Sequence, residues 1–293
     1  MGTVVEASAI ATPDGDPSVG AIGLADAAAR TCLERAHRAP DDVQLLINAG
    51  VYLDRNISEP AIASLIQEDI HANPAPTPGG GQGTFSFDVR NGACGLLTGV
   101  ELVDGLLSSG TIELGMVVAA DANPEAARTE GFDFPALGGA ILLRADDTRP
   151  GFTGFGFATF PEYSHLFTSA IDWRAEDGGG SNVLTVQIAG DYPARALDCA
   201  EATAREFLAG HGTDPREVGA LVAGASTAGF ADALAARLGI PESRVASIPD
   251  ELGRAHTAGL AAALQAVSLT DVGTALLVSV GAGLTVATAL YRA

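Results

Sequence analysis

The feature that most constrains the fold of this chain is an internal repeat. Two stretches of the sequence align without gaps at an offset of 175 residues, so that residue 40 matches residue 215. The two ends also match, ILLRA (141–145) against TALYRA (288–293). We therefore expect a duplicated structural unit. The aligned pairs occur in the same order in both stretches: Ala29 with Ala204, Arg30 with Arg205, Leu33 with Leu208, Pro40 with Pro215, Val43 with Val218 and Leu46 with Leu221.

Strand patterns alternate with helix patterns in both stretches. This alternation predicts sheets covered by helices. Two such halves, 1–150 and 151–293, predict a layered α/β sandwich with the active site where the halves meet. The predicted strands cover 3–10, 43–49, 84–89, 114–120, 137–144, 182–188, 218–223, 245–248, 274–280 and 284–291. The predicted helices cover 24–37, 60–70, the stretch after Cys94, 193–209, 230–238 and 256–267.

One stretch, TFSFDVRNGACGLLTGVELVDGLLSSG (84–110), reads as a strand, a sharp turn and a helix. Cys94 falls at the first turn of that helix, where free N–H groups and the helix dipole favour negative charge. We therefore expect a thiol biased towards thiolate, which is the nucleophilic form. The alternative is a small buried apolar residue, the commoner state of a free cysteine.

Composition excludes several classes of function. The chain has 293 residues and a formal net charge of −20, with 16 Lys and Arg against 36 Asp and Glu. A protein that binds nucleic acid or an anionic membrane needs a basic face, so neither partner is expected. The chain has no signal-peptide pattern and no apolar run of about 18 residues, so no membrane span is expected.

The other cysteines, the histidine spacings and Ser226 do not match a catalytic or metal-binding pattern. Cys32 and Cys199 lie in amphipathic helical stretches and are expected in the core. Three cysteines in all predict a reducing, cytoplasmic location without a disulfide framework. No spacing of Cys or His matches a metal site. Ser226, in GASTAG, departs from the G-x-S-x-G nucleophile elbow, so it is interpreted as a turn residue.

With Cys94 after a strand in the first half of a duplicated chain, the sequence resembles the thiolase superfamily, in its ketoacyl synthase III branch. The resemblance covers nearly the whole chain. It implies a five-layered αβαβα fold, an obligate dimer and Cys94 as the acyl-accepting nucleophile. The substrate would be an acyl-CoA or acyl-carrier-protein thioester, with no further cofactor. The blocks that carry the resemblance are FDVRNGACGLLTGVELVDGLLSSG, ELGMVVAADAN and LLVSVGAGLTVATALYR.

The segment VYLDRNISEPAIASL (51–65) resembles OleA-type enzymes, which join two acyl-CoA chains by a Claisen condensation without prior decarboxylation. The resemblance implies that Glu59 reaches across the dimer interface and removes the α-proton of the second acyl chain in the partner's site. A carboxylate that loses water at an interface becomes a stronger base. The alternative is an ordinary glutamate beside the N-terminus of a helix.

The family's other two active-site residues, a His and an Asn, are absent from the matching positions. Gly224 stands at the His position, in VAGAST. In LGRAHTAGLAAAL an ungapped match puts Arg254 at the Asn position, whereas a shifted match puts His256 there, as in the two-His branch; both stay open. Each lost oxyanion donor costs on the order of 10²–10³ in rate. The loop ATPDGDPSVG (11–20) also lacks the family's CoA-holding Trp/Arg arm.

Three functions are consistent with these residues. The first is a subunit of a heterodimeric OleA-like thiolase that lends Glu59 to a complete homologous partner, as in β-lactone (lipstatin-type) lipid pathways. The second is an acyltransferase that uses Cys94 with His256. The third is a non-catalytic partner subunit in which Cys94 and Glu59 are both silent.

Overall fold

The computed structural model describes residues 2–16, 18–74, 83–176, 179–225, 227–246 and 248–293. The elements of the first half are β1 (Gly2–Ala11), α1 (Ala21–Ala36), β2 (Leu45–Asn48), α2 (Ile62–Asp69), β3 (Phe85–Asp88), α3 (Gly95–Ser108), β4 (Leu114–Asp121) and β5 (Leu137–Asp146). Those of the second half are β6 (Gly151–Thr159), β7 (Phe167–Glu176), β8 (Gly179–Ile188), α4 (Tyr192–Gly210), β9 (Ala220–Ala225), α5 (Phe230–Leu238), α6 (Gly259–Leu264), β10 (Thr274–Gly281) and β11 (Thr285–Arg292).

Nine strands form one sheet in the order β3-β2-β4-β5-β1-β6-β11-β10-β9. Its two parts meet where β1 and β6 pair at Thr3 and Phe152. β9 runs parallel to β10 as β2 does to β4, and β10 runs antiparallel to β11 as β4 does to β5. Where the first half has β3, Val245 forms a single parallel bridge to Leu221 of β9. The same strand order therefore occurs in both halves, as the repeat predicted.

The helices lie in three layers. α1 and α2 pack on the outer face of the first part of the sheet, around Leu46, Ile66 and Met116. α3 and α6 lie between the two parts, and α4 and α5 cover the second part from outside. Because each sheet face is apolar, every layer buries side chains against the next. The arrangement is αβαβα, which confirms the predicted fold class.

The second half begins differently from the prediction. The strand predicted at 182–188 is part of β8, which pairs with β7 in a separate two-stranded ribbon. The first strand of this half in the main sheet is β6, which was not predicted. β6 contains three glycines, which weaken the strand pattern, and its conformation comes from pairing with β11. The pairing with β11, which is distant in the sequence, therefore gives β6 a strand conformation that its local sequence does not indicate.

Carboxylates from elsewhere in the chain determine where two helices begin. α2 begins at Ile62, not at Pro60 as predicted, because Asp88 accepts hydrogen bonds from the N–H groups of Ile62 and Ala63, both at 2.8 Å. Asp54 likewise accepts hydrogen bonds from the first N–H groups of α1. Such bonds satisfy donors that the helix itself leaves free.

Replacing Asp88 tests this cap. We expect Asp88→Ala to lower the free energy of unfolding by about 1–2 kcal/mol, because two helix N–H groups and the Asn48 amide lose their acceptor. Urea denaturation measures the change. The matched control is Asp147→Ala, at an exposed carboxylate, which should shift stability by less than about 0.5 kcal/mol. Equal shifts in the two variants would contradict the cap.

Candidate active site

Cys94 ends a short 3₁₀ turn and stands directly before α3, where the sequence placed it. Its side chain is fully buried. The Sγ–H group lies 3.5 Å from the carbonyl oxygen of Ser279 on β10 and 3.3 Å from that of Thr285 on β11. Both acceptors belong to the second half of the chain. The thiol therefore lies at the contact between the two halves.

The protonation of Cys94 differs from the expectation. Burial raises the pKa of the thiol to about 12, although hydrogen bonds with the backbone of Ala287 and Gly281 lower it in part. The expected bias towards thiolate is wrong for this arrangement, because the loss of water around sulfur outweighs the effect of the helix N-terminus. At neutral pH the side chain is a thiol.

His256 and Arg254, which the sequence left as alternatives, lie in different surroundings. The His256 side chain is about 1% exposed, and its Nδ1 lies 3.3 Å from Oδ2 of Asp121. Arg254 is exposed and forms a 2.6 Å ion pair with Asp133. Of the two, His256 is the residue that faces the interior.

Asp121 is a site residue that sequence reasoning missed. It is the last residue of β4, in which every residue is buried. Burial disfavours its charged form, but His256 and hydrogen bonds from Thr257 and Tyr52 prevail and hold the pKa of Asp121 below its usual value. A carboxylate that ends a wholly apolar strand is the signal that could have found it.

Tyr192 was missed as well. It is about 1% exposed, and within the described part of the chain its hydroxyl has no hydrogen-bond partner. Burial raises the pKa of Tyr192, and the nearby Cys94 and Tyr52 raise it further. The ring of Tyr192 contacts Phe167 edge-on at 5.4 Å, and Phe167 contacts the ring of His256 at 5.9 Å. These contacts connect the surroundings of Cys94 with those of His256.

Gly224, at the family's His position, lies on β9 beside Ser279. A Cβ atom built on Gly224 would lie 2.9 Å from the backbone nitrogen of Leu260, so α6 occupies the space of a side chain. Gly224 also lines a cavity of about 540 Å³. Three carboxylate residues and no Lys or Arg occur among the described lining residues; the acidic ones are Asp232, Glu242 and Asp250.

Glu59 differs from the buried groups in its exposure. It is exposed and stands three residues before α2. In the ranges that the structure describes, no hydrogen bond or ion pair joins it to Cys94 or His256. Ser226 lies outside the described residues.

The described residues form neither a metal centre nor a membrane-spanning helix. No group of three or more His, Cys, Asp or Glu side chains is placed to hold a metal ion. None of the helices in those ranges combines the length and apolarity needed to cross a bilayer.

Comparisons with known proteins agree with this fold. Residues 208–293 match the family model described as 3-oxoacyl-(acyl-carrier-protein (ACP)) synthase III C terminal. Beta-ketoacyl-(acyl-carrier-protein) synthase III 3 of Streptomyces coelicolor is 32% identical over 136 residues, which are 45% of this chain and 36% of that relative. Synthase III 1 of Lactiplantibacillus plantarum is 23% identical over 290 residues, covering 92% of this chain and 83% of that relative.

Solved structures show the same fold at low sequence identity. The 3-oxoacyl-(acyl carrier protein) synthase III of Pseudomonas aeruginosa superposes with a TM-score of 0.81 at 21% identity, covering 100% of this chain and 98% of that one. OleA of Xanthomonas campestris, in a structure with bound lauric acid and lauroyl-CoA, gives 0.77 at 16% identity, covering 100% and 99%. The chain is therefore similar to ketoacyl synthase III over residues 208–293 and shares the fold of the solved ketoacyl synthase III and OleA structures.

The raised pKa of Cys94 predicts a loss of stability at high pH. The thiol pKa is about 12 in the folded chain against a reference of 9.0, so above pH 9 the unfolded chain loses a proton that the folded chain keeps. This group therefore lowers the free energy of unfolding by about 1.4 kcal/mol per pH unit between pH 9 and 12, with no effect below. In the Cys94→Ala variant, the free energy of unfolding should therefore fall by about 1.4 kcal/mol less per pH unit over this range.

Denaturation of both proteins at intervals from pH 7 to 11 measures this difference. Between pH 7 and 8 the two should differ by a constant offset, since removing the sulfur leaves a small cavity at every pH. Parallel curves up to pH 11 would mean that the thiol is not buried as described.

Proposed function

We propose that this chain is a subunit of an OleA-like thiolase that catalyses the non-decarboxylative Claisen condensation of two fatty acyl-CoA chains. In this proposal it donates Glu59 across the subunit interface to a partner whose Cys, His and Asn are complete. The coarser part, a ketoacyl synthase III-like acyl-transferring or condensing enzyme, is supported by the family match over residues 208–293 and by the relatives with which the chain aligns.

The observation that carries the proposal is the contrast in exposure between Glu59 and Cys94. Glu59 is exposed, whereas Cys94 is fully buried against β10 and β11. Asp88 accepts hydrogen bonds from the first N–H groups of α2, which holds the backbone close to Glu59 in place. An exposed carboxylate on a fixed backbone is available to a neighbouring subunit.

The surroundings of Cys94 support a catalytic site that has low activity in this chain alone. The thiol is protonated at neutral pH, and α6 occupies the space that a side chain at Gly224 would need. Without the family's His, one oxyanion donor is missing, at a cost on the order of 10²–10³ in rate. The carboxylates around the neighbouring cavity would also repel the phosphates of CoA.

The free edge of the sheet supports a partner surface. β3 is the outermost strand of the first part, and Phe85 on this strand is 65% exposed. An open edge strand with an exposed aromatic side chain favours association with another chain. β3 ends at Asp88, which holds α2, so a partner on this edge would approach Glu59.

The chemistry assigned to Glu59 is one proton transfer. Its carboxylate would accept the α-proton of the second acyl chain, and the resulting carbanion would attack the thioester carbonyl on the partner's cysteine. The carbon–sulfur bond then breaks, the partner's cysteine leaves as a thiolate, and a β-ketoacyl thioester is released. Positioned general bases typically contribute 10²–10⁴ in rate.

Co-expression with a homologue that has the complete Cys, His and Asn set tests the proposal. Glu59→Gln keeps the side-chain volume but cannot accept the proton, so we expect condensation to fall by roughly 10²–10⁴ while the complex keeps its size. Product formation from acyl-CoA and size-exclusion chromatography are the measurements.

The matched control is Glu68→Gln, an exposed glutamate at the other end of α2. It should leave both activity and complex size unchanged. A Glu59→Gln complex with full activity would overturn the proposal. Unchanged activity after Cys94→Ala and Glu59→Ala together would instead favour a non-catalytic partner.

A second candidate function is an acyltransferase that uses Cys94 with His256. The buried pair of His256 and Asp121 favours it, because a paired imidazole can act as a base. The Cys94 thiol would give its proton to the imidazole, and sulfur would attack the acyl thioester. The carrier would leave as a thiolate and take up that proton.

Acylation of the isolated protein tests the second candidate. We expect incubation with an acyl-CoA, followed by digestion and mass spectrometry, to find the acyl group on Cys94 and nowhere on a Cys94→Ala variant. Cys199→Ala, at another buried cysteine, should label like the unchanged protein. The absence of any acyl-enzyme at pH 7 to 9 would exclude this candidate.

A further inference from the structure

Asp121 accepts hydrogen bonds from two separate segments, 51–52 and 256–257. Its Oδ1 accepts from the N–H groups of Val51 at 3.1 Å and Tyr52 at 2.8 Å. Its Oδ2 accepts from the N–H group of Thr257 at 2.8 Å and from the Thr257 hydroxyl. His256 Nδ1 lies 3.3 Å from the same Oδ2. The carboxylate is only 2% exposed, so water contributes little to its solvation.

The ionisation state of Asp121 determines which residue of the Asp121–His256 pair donates the hydrogen bond between them. The surrounding donors hold the pKa of Asp121 below its usual value despite burial. An ionised carboxylate can only accept hydrogen bonds. Nδ1 of His256 must therefore be the donor, and the ring carries a hydrogen on that nitrogen whether it is neutral or charged.

Aromatic side chains restrict the orientation of the His256 ring. Its centroid lies 5.0 Å from the ring of Tyr52, 5.1 Å from that of Phe134 and 5.9 Å from that of Phe167. Tyr52 also gives its backbone N–H group to Asp121, so the same residue contacts both members of the pair. Rotation of the imidazole would break the bond to Asp121 and these ring contacts together.

We infer that Asp121 is a positioning residue that holds His256 in the Nδ1–H tautomer and thereby leaves the basic lone pair of the ring on Nε2. This inference rests on the second candidate function for its catalytic consequence. The tautomer itself does not depend on any activity. Asp121 acts through the imidazole and does not touch the substrate.

Nitrogen NMR of the full chain, labelled at its histidines, tests the inference. The chain has five histidines, and the spectrum of His256→Gln identifies the signals of His256. In the neutral ring, we expect Nδ1 to be protonated and Nε2 unprotonated. A wild-type ring with its hydrogen on Nε2 would overturn the inference, because Nδ1 would then be an acceptor facing a carboxylate.

Two variants separate positioning from a merely structural role. In Asp121→Asn the tautomer population should shift towards Nε2–H, because a neutral amide holds the Nδ1–H group less strongly and one of its ends is itself a donor. Thr257→Val removes one hydroxyl donor but keeps the carboxylate, so the Nδ1–H tautomer should persist. An Asp121→Asn protein that keeps a pure Nδ1–H ring would contradict the inference. If that variant does not fold, the wild-type and Thr257→Val spectra still decide.

The rate of Cys94 acylation distinguishes this inference from the proposed function. If the wild-type chain is acylated, Asp121→Asn should slow acylation by about 10²–10⁴, since a misoriented or wrongly protonated base transfers the proton poorly. If the wild-type chain is not acylated but shows the Nδ1–H tautomer, the acyltransferase function fails and the positioning role stands.

Discussion

Helices α3 and α6 fill the space between the two parts of the sheet, and they fit there because small residues face the strands. A Cβ atom on Gly99 of α3 would lie 2.6 Å from Cγ1 of Val117 on β4. The sequence of α6, GLAAAL, is buried at every position. Larger side chains on these helices would push the two parts of the sheet apart. Both halves of the chain would then lose packing contacts with the helix layer between them.

The same close packing determines the chemistry of the candidate site. Cys94 enters the central layer from the turn before α3 and meets the carbonyl groups of β10 and β11, so its thiol is surrounded by protein. Removing water from a thiol favours the neutral form, whereas removing water from Asp121 is offset by the donors that surround it. The interior thus holds a protonated thiol at Cys94 and an ionised carboxylate at Asp121.

The outer surface differs from the interior in its exposed aromatic and acidic side chains. The first part of the sheet ends at β3 with an exposed Phe85, and Glu59 is exposed near the start of α2. With a net charge of −20, two copies of this chain would repel each other over much of their surface.

The sequence by itself determined the duplicated α/β architecture and the place of Cys94 before α3. The repeat, the alternation of strands and helices and the turn at residues 90–92 are local patterns that directly follow from periodicity and glycine positions. Tertiary structure alone decided the strand conformation of β6 and the surroundings of Asp121, Tyr192 and His256. β6 is a strand because β11 pairs with it, and the thiol of Cys94 is neutral because the second half covers it. Burial and long-range pairing depend on which segments meet in space, and no local pattern encodes that.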